Sequence, residues 1–288
     1  MFTKANAKIN LGFNVLSKKD DGYHLIDSIY LPLTLHDSIE IQIIPGANDT
    51  YVTCDSFVSI PSTYNLAHIA ISKARDIFHF KEQFRINIHK SIPMGAGLGG
   101  GSSDAAACLS AIFKMLNIHP SQEELRSLAL SVGADVVYFL LLDEPARVDG
   151  VGERLRPIEI KKDYYCLLVK PDESLSTKEV YEKSDEYEDL PVANLDAIER
   201  GLKEGNDELI ATNLSNALYI PAKDMLPKLI TIENQLKEFG FKIVCMSGSG
   251  SSFFALSDNK KIVKKAEAHF DKLGYTVERC KIYKKEEK

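Results

Sequence analysis

The sequence has 288 residues, of which 44% are hydrophobic and 26% charged, and its formal net charge is −6. This length favours two domains, and the composition is that of a globular protein with hydrophobic cores. The acidic balance argues against a generic nucleic-acid or anionic-membrane binder. It does not exclude a phosphorylated ligand, because a local glycine loop binds phosphate without a basic surface.

The five cysteines are far apart in the sequence, and no CxxC pair occurs. This spacing suggests neither a zinc site nor a disulfide framework. The first residues lack an apolar signal core, and no apolar run approaches the ~18 residues of a membrane span. We therefore expect a cytoplasmic protein with reduced thiols and no membrane partner.

The first half of the chain alternates strands with helices. Apolar residues recur at every second position in 2–16, which predicts a half-buried strand with Lys8 and Asn10 on its polar face. Residues 24–44 and 84–88 also read as strands, and 65–78 as a helix. A helix fits 103–116, and Ser121 with Glu124 forms a capping box that opens another helix.

A change of composition at 157–163 divides the chain into predicted domains 1–158 and 159–288. In the second domain the patterns predict strands at 164–169, 242–246, 252–256 and 276–282, and helices at 194–202, 206–218, 221–239 and 260–272. The acidic stretch 185–189 reads as a solvated connection. The whole pattern is that of an α+β protein.

A glycine-rich segment is the most informative part of the sequence. Five of the seven residues 95–101 are glycine, which costs conformational entropy on folding and indicates a sharp backbone turn close to a ligand. A strand precedes the segment and an amphipathic helix follows it. Strand, glycine loop and helix N-terminus together form an anion site suited to the phosphates of a nucleotide.

Three familiar nucleotide signatures do not fit this loop. A P-loop requires a lysine at its end, and none occurs from 91 to 113. A formal G-x-G-x-x-G begins at Gly95, but the preceding strand alternates and no acidic residue ends a second strand about twenty residues later. The protein-kinase signatures His-Arg-Asp and Asp-Phe-Gly are absent.

Three separated segments together resemble the GHMP kinase superfamily of small-molecule kinases. They are residues 5–11, the glycine loop with its Ser-Ser-Asp-Ala-Ala-Ala helix start, and residues 246–252. The resemblance implies a two-domain fold, with an N-terminal domain like domain 2 of ribosomal protein S5 and a ferredoxin-like C-terminal domain. It places the ATP-binding part in residues 1–158 and the active site between the domains.

Residues 21–24, 133–136 and 146–153 are similar to one branch of this family. For that branch the substrate implied is a cytidine diphosphate-linked methylerythritol, phosphorylated by ATP on its 2-hydroxyl in the non-mevalonate isoprenoid pathway. The chain departs from the family pattern at Asn6 and Val137, where proline is usual, and at Leu142-Asp143, where glycines are common.

The resemblance also implies roles for individual residues. Asp135 is the expected general base, and Lys8 is expected to orient it and to lower the pKa of the hydroxyl group. The expected substrate-binding residues are Asn10, Tyr23, His24, Gly248 and Gly250.

ATP is expected in the glycine loop, with Asn65 touching the adenine and Ser102 or Ser103 nearest Mg²⁺. The expected ATP-binding loop residues are Pro93, Met94, Gly95, Ala96, Gly97, Leu98, Gly99, Gly100, Gly101, Ser102 and Ser103. Mg²⁺ is implied because the charge on ATP must be neutralised. No cluster of residues predicts a dedicated metal site.

Three other functions stay open at this point. A kinase for another alcohol, such as homoserine or mevalonate, is disfavoured by the Asp-Gly-Tyr-His segment, and a catalytically silent nucleotide-binding paralogue by the presence of Lys8 and Asp135. An S5-like nucleic-acid-binding protein is disfavoured by the net charge of −6. We expect a monomer or weak homodimer.

Overall fold

The computed structural model describes residues 1–20, 22–55 and 62–284, so Asp21 of the Asp-Gly-Tyr-His segment lies outside it. The strands are β1 (Phe2–Lys18), β2 (His24–Ile43), β3 (Tyr51–Cys54), β4 (Phe84–His89), β5 (Ala146–Gly150), β6 (Arg154–Pro157), β7 (Tyr165–Lys170), β8 (Ile243–Met246), β9 (Phe253–Ser257) and β10 (Thr276–Lys281). The helices are α1 (Leu66–Phe78), α2 (Gly100–Leu116), α3 (Gln122–Val132), α4 (Ala134–Leu141), α5 (Thr177–Ser184), α6 (Leu195–Glu204), α7 (Asp207–Asn213), α8 (Tyr219–Met225), α9 (Lys228–Glu238) and α10 (Lys260–Lys272).

The chain folds into two compact units, and both are discontinuous in sequence. The first unit contains residues 1–7, 36–92 and 99–143, and the second contains 8–35, 93–98 and 144–288. Strands β1 and β2 each contribute to both units. The domain boundary predicted at 158/159 falls inside the second unit and stays a prediction about the division of the sequence.

The first unit combines four helices with part of a sheet. The second half of β2 pairs antiparallel with β4, which pairs parallel with β3. Helix α2 packs against α1 and α4, and α3 packs against α4 and α1. The rings of Phe78 and Phe113 meet edge to face with their centroids 5.1 Å apart, which is a favourable geometry for two aromatic rings.

The second unit contains a four-stranded antiparallel sheet in the order β10-β7-β9-β8. Helices separate β7 from β8, and α10 separates β9 from β10, which is the β-α-β-β-α-β connection of a ferredoxin-like fold. Inward-facing residues of β7, β8 and β9 share one core with α9 and α10. The first half of β2 pairs with β5, and β5 pairs with β6. The predicted α+β class and the ferredoxin-like C-terminal arrangement are therefore confirmed.

Strand β1 is buried on both faces from Ala7 to Asn14, so the prediction of a half-buried strand is wrong. Its polar side chains tolerate burial because they are hydrogen-bonded. Asn14, for example, donates to the carbonyl oxygen of Ala193 at 3.0 Å and accepts from the Ala193 amide at 2.8 Å. Alternation alone does not reveal such a partner.

Several predicted boundaries also differ from the structure. Helix α2 begins at Gly100 instead of 103, and the helix predicted at 206–218 ends at Asn213. The helix predicted at 221–239 is divided into α8 and α9 at Pro227, which cannot donate a backbone hydrogen bond inside a helix. Strands β3, β5 and β6 and helices α4 and α5 were not predicted, because they are short. Helix α10 and the strands around residues 247–252 are confirmed.

All five cysteines are free thiols, four of them buried and Cys54 partly exposed. No helix within residues 1–20, 22–55 and 62–284 combines the length and the apolar character needed to cross a membrane.

Candidate functional site

The first half of the glycine loop, Pro93–Leu98, belongs to the second unit. Gly95 and Gly97 both have positive φ, at +60° and +71°, a conformation that side chains disfavour. A Cβ atom on Gly97 would lie 2.1 Å from the carbonyl oxygen of Ser247. The loop therefore needs glycine at this position both for its backbone angle and for close contact with another segment.

That other segment is the turn Ser247–Ser252 between β8 and β9, which carries the second predicted glycine motif. The Ser247 hydroxyl donates to the carbonyl oxygen of Gly97 at 3.0 Å. Gly248 has φ +54°, and a Cβ atom there would lie 3.2 Å from Oδ1 of Asn10. The turn is thus both a tight hairpin and a surface packed on the first glycine loop.

Asn216 holds this turn in place from the side. Its amide group donates to the carbonyl oxygens of Met246 at 2.9 Å and Gly248 at 2.8 Å, while its Oδ1 accepts from the Leu218 amide. The side chain is buried, and both of its N–H donors and its oxygen have partners inside the protein. No local pattern identifies Asn216, because the carbonyl groups that it binds lie 30 and 32 residues away.

The segment after β7 contacts both glycine segments. The Ser251 hydroxyl donates to the carbonyl oxygen of Glu173 at 2.7 Å, and Ser249 shares a 2.9 Å hydrogen bond with Thr177. A Cβ atom on Gly95 would lie 2.9 Å from Oγ of Ser174. Ser174 and Thr177 therefore border the predicted ATP-binding and substrate-binding glycines, although sequence analysis did not identify them.

The second half of the glycine loop belongs to the first unit and begins α2. Gly99 is the N-cap, with φ +72°, and as a glycine it has no side chain to cap the first-turn amides. Gly100, Gly101, Ser102 and Ser103 lie in the helix and not in the loop, and Ser103 is buried. Backbone N–H groups of a helix start without a side-chain cap favour an anion, so these residues fit the phosphates of ATP.

Lys90, which directly follows β4, lies beside the start of this helix. Its Nζ donates to Asp104 of α2 at 2.8 Å and to Asp37 of β2. Asp37 also accepts from the backbone amides of Ser91 and Ile92. This buried cluster of one cation and two carboxylates fixes the end of β4 against the first turns of α2, and sequence analysis missed it.

The Asp104 carboxyl has an unusual environment. Burial, and to a lesser degree the neighbouring Asp37 carboxylate, raises its pKa to about 7 in spite of the opposing effect of Lys90. Within the described residues its Oδ1 is buried without a hydrogen-bond partner. Two carboxyl groups this close repel each other when both are ionised, so the charge of Asp37 adds to the rise in the pKa of Asp104.

Lys8 and Asn10 lie in the second unit and are both buried. The Lys8 Nζ donates to Oδ1 of Asn10 at 2.8 Å and lies 4.7 Å from the centroid of the Tyr30 ring. Asn10 donates to Ser28, whose hydroxyl donates to the carbonyl oxygen of Gly12. This hydrogen-bonded chain fixes the predicted catalytic lysine and brings it together with the predicted substrate residue Asn10.

Asp135 lies in the first turn of α4, in the first unit, and its side chain is partly exposed. The joint action of Lys8 and Asp135 therefore stays a prediction. Two residues that depart from the family pattern contact each other, because Asn6 donates to Oδ2 of Asp143 at 3.0 Å. Asp143 has φ +49°, a conformation that aspartate tolerates better than most residues and that explains why glycine is common there.

Tyr23 and His24 differ in their environments. Tyr23 is 64% exposed, as an aromatic residue available for stacking would be. His24 instead has its Nε2 2.7 Å from Oδ1 of Asp185, and its ring lies 4.9 Å from that of Tyr181. Asp185 is nevertheless exposed, as the interpretation of 185–189 as a solvated connection predicts.

Asn65 caps α1, because its Oδ1 accepts from the Ala67 amide at 2.9 Å. Its amide group lies 3.4 Å from the Cys54 sulfur, so its predicted contact with adenine would compete with these bonds. No group of three His, Cys, Asp or Glu residues suited to a metal ion occurs among the residues that the structure describes.

The chain matches two family models. Residues 65–141 match the GHMP kinases N-terminal domain, and residues 195–276 match the GHMP kinases C-terminal domain. Together these matches span more than half of the chain.

Whole-length relatives carry a more specific name. A 4-diphosphocytidyl-2-C-methyl-D-erythritol kinase of Caldicellulosiruptor saccharolyticus is 37% identical over 92% of this chain and 91% of its own length. One of Clostridium botulinum is 36% identical over 95% of both chains. A crystal structure of 4-(cytidine 5'-diphospho)-2C-methyl-D-erythritol kinase superposes with a TM-score of 0.81 and 29% identity, covering 99% of this chain and 100% of its own. A homoserine kinase of Cytophaga hutchinsonii has a TM-score of 0.72 at 16% identity over 98% of this chain and 94% of its own, which shows a shared fold.

Proposed function

Because the chain belongs to the GHMP kinase family, we propose that it transfers the γ-phosphate of ATP to the 2-hydroxyl of 4-diphosphocytidyl-2-C-methyl-D-erythritol, in the non-mevalonate route to isoprenoids. One observation carries this proposal. Relatives with that name align with the chain over more than nine-tenths of its length at 36–37% identity.

The proposed ATP site is the continuous segment 93–103. Its support is the positive φ of Gly95, Gly97 and Gly99 and the first-turn amides of α2, which the N-cap glycine cannot cap with a side chain. Mg²⁺ bound to the phosphates would neutralise their charge, and Ser102 or Ser103 is the proposed protein ligand. Mg²⁺ commonly keeps several water ligands and uses few protein groups, so a dedicated carboxylate cluster is not required.

In the proposed reaction the 2-hydroxyl oxygen attacks the γ-phosphorus, the bond to the β-phosphate oxygen breaks, and ADP leaves. Asp135 accepts the hydroxyl proton, a role that contributes about 10²–10⁴-fold to the rate. Lys8 stabilises the negative charge that develops on the oxygen. The hydrogen bond from Lys8 to Asn10 keeps the ammonium group in one position, so the lysine need not move as the charge develops.

The proposed cytidine site uses Tyr23 and His24. The exposed ring of Tyr23 offers a face on which cytosine can stack, and the imidazole of His24 offers a hydrogen bond to the base. The turn with Gly248 and Gly250 is proposed to approach the diphosphate, because glycine allows close approach of the backbone to a ligand.

The test is phosphorylation of 4-diphosphocytidyl-2-C-methyl-D-erythritol by the purified protein with ATP and Mg²⁺. The wild type and Asp135→Asn are compared with Asp76→Asn, which carries the same change at an exposed position of α1. We expect turnover in the wild type and in Asp76→Asn, and a loss of about 10²–10⁴-fold in kcat for Asp135→Asn. If the protein phosphorylates only homoserine or mevalonate, the proposed substrate is wrong and that alcohol takes its place. ATP binding without turnover of any of these alcohols would identify a silent paralogue.

The proposal extends to location and assembly, as a cytoplasmic enzyme that acts as a monomer or weak homodimer. Light scattering at two protein concentrations measures the assembly, and a stable tetramer would contradict it.

A further inference from the structure

Asp185, at the end of α5, contacts two basic side chains through separate oxygens. Its Oδ2 accepts from the Nζ of Lys18 at 2.5 Å, and its Oδ1 lies 2.7 Å from Nε2 of His24. All three residues belong to the second unit. A carboxylate at a helix C-terminus is disfavoured by the helix dipole, so its favourable contacts come from these two side chains and not from its own helix.

The environment of Asp185 determines which groups carry protons. The hydrogen bond from Lys18, and to a lesser degree that from His24, lowers the pKa of the Asp185 carboxyl below its usual value. The group is therefore an ionised carboxylate at neutral pH, and a carboxylate only accepts hydrogen bonds. Nε2 of His24 must then carry a proton, so a neutral imidazole in this contact is the Nε2-protonated tautomer.

The His24 ring also packs against the Tyr181 ring. It lies 4.9 Å from the Tyr181 ring at an interplanar angle of 31°, and only 8% of the His24 side chain is exposed. Rotation of the imidazole by 180° would move Nε2 away from Asp185 and lose the hydrogen bond. Packing and hydrogen bond together select one ring orientation and one tautomer.

A neutral imidazole with a proton on Nε2 has an unprotonated Nδ1, which is a hydrogen-bond acceptor. Cytosine and uracil differ at one edge, because cytosine presents an amino donor where uracil presents a carbonyl acceptor. If Nδ1 faces this edge, it accepts a hydrogen bond from the amino group of cytosine. With uracil, Nδ1 would face a carbonyl oxygen, which is also an acceptor. Such a mismatch is costly, since buried polar groups then lack partners.

We propose that Asp185 is a positioning residue that holds His24 in its Nε2-protonated tautomer, and so makes the nucleoside site selective for cytidine over uridine. This inference rests on the proposed function, which places the cytidine group at His24. Asp185 itself acts through the imidazole and need not touch the substrate.

The first experiment reads the tautomer directly in the protein without substrate. Two-dimensional ¹H–¹⁵N correlation spectra at pH 8, above the ordinary titration range of histidine, distinguish the two ring nitrogens of His24. We expect the Nε2-protonated form in the wild type and a mixture of both tautomers in Asp185→Asn, because an amide can donate as well as accept. Asp189→Asn, the same change at an exposed position in the same connection, is the control.

The second experiment measures selectivity by calorimetric titration with CDP and UDP, with the ATP site filled by a non-hydrolysable ATP analogue. We expect the wild type and Asp189→Asn to prefer CDP, and the preference to fall about tenfold or more in Asp185→Asn. A thermal unfolding curve for each variant excludes loss of folding as the cause.

Either of two results would overturn the inference: a tautomer that Asp185→Asn leaves unchanged, or a CDP preference that it leaves unchanged. The phosphorylation assay separates these failures from failure of the proposed function. If the wild type phosphorylates the cytidine-linked alcohol but Asp185→Asn has unchanged selectivity, only the proposed role of Asp185 is wrong. Absence of that turnover removes the function itself.

Discussion

The hydroxyl of Ser247 donates a hydrogen bond to the carbonyl oxygen of Gly97 at 3.0 Å, and thereby joins two glycine segments 150 residues apart. The contact is possible because Gly97 has no side chain, since a Cβ atom there would lie 2.1 Å from the Ser247 carbonyl oxygen. Each glycine segment therefore determines the shape of the other. A substitution in one is expected to disturb both.

Gly97→Ala is expected to lower the free energy of unfolding by roughly 3 kcal/mol or more, because it adds a clash with backbone to an unfavourable φ. Gly240→Ala is the matched control. Gly240 has φ +91° but no atoms within 4 Å of a Cβ position, so backbone strain alone should cost about 1–2 kcal/mol. Denaturant unfolding measures both. Equal losses in the two variants would show that the contact with Ser247 contributes nothing.

Asn216→Asp is expected to destabilise the protein by about 3 kcal/mol. The change removes two donors and places a carboxylate oxygen against the carbonyl oxygens of Met246 and Gly248 in a buried position. The control is Asn259→Asp, because Asn259 caps α10 through its oxygen only and aspartate caps equally well. Urea denaturation is the measurement, and a loss in Asn216→Asp no larger than in the control would contradict the proposed role of the amide.

The pKa of Asp104 predicts how stability depends on pH. Its folded pKa of about 7 lies above the ordinary aspartate value of 3.8, so between these values the folded state binds more protons than the unfolded state. The contribution of this group to stability is full below about pH 4 and is lost as the pH rises through about 7. The free energy of unfolding should therefore fall by up to about 1.4 kcal/mol per pH unit over this window from this group alone.

Asp104→Asn cannot titrate and is expected to remove this part of the pH dependence. Chemical denaturation at several pH values between 4 and 8 measures it, with the exposed Asp76→Asn as control. If Asp104→Asn keeps the same slope as the wild type and the control, another group is responsible.

Ser28→Ala tests the hydrogen-bonded chain that fixes Lys8. Ser28 is buried, accepts from Asn10 at 3.3 Å and donates to the Gly12 carbonyl oxygen at 2.7 Å. Its loss should cost about 1–2 kcal/mol of stability and lower kcat by about tenfold with little change in the KM for ATP, because the lysine is less well positioned. Ser38→Ala, exposed on the same strand, should change neither stability nor kcat. A normal kcat in Ser28→Ala would show that the chain does not position Lys8.

The sequence by itself determined the class of protein and the order of its motifs. Local patterns, such as five glycines in residues 95–101, depend on neighbouring residues only, and the same is true of the amphipathic repeat of α10 and the capping box at Ser121. These features located the glycine segments and many element boundaries without knowledge of distant contacts, and the resemblance of three separated segments indicated the kinase family. The N-terminal α2 boundary was misplaced because glycine disfavours helices, whereas the structure uses Gly100 and Gly101 in the first turn.

Only the tertiary structure decided which polar residues meet. Lys90 with Asp104 and Asp37, Ser247 with Gly97, and Asp185 with His24 are separated by 14 to 161 residues, so no local period records them. Where such groups are buried, their hydrogen bonds matter for stability, because an unpaired polar group costs free energy away from water and little in contact with it. Burial is a property of the folded chain, and the fold is also what brings the exposed Asp185 against the largely buried side chain of His24.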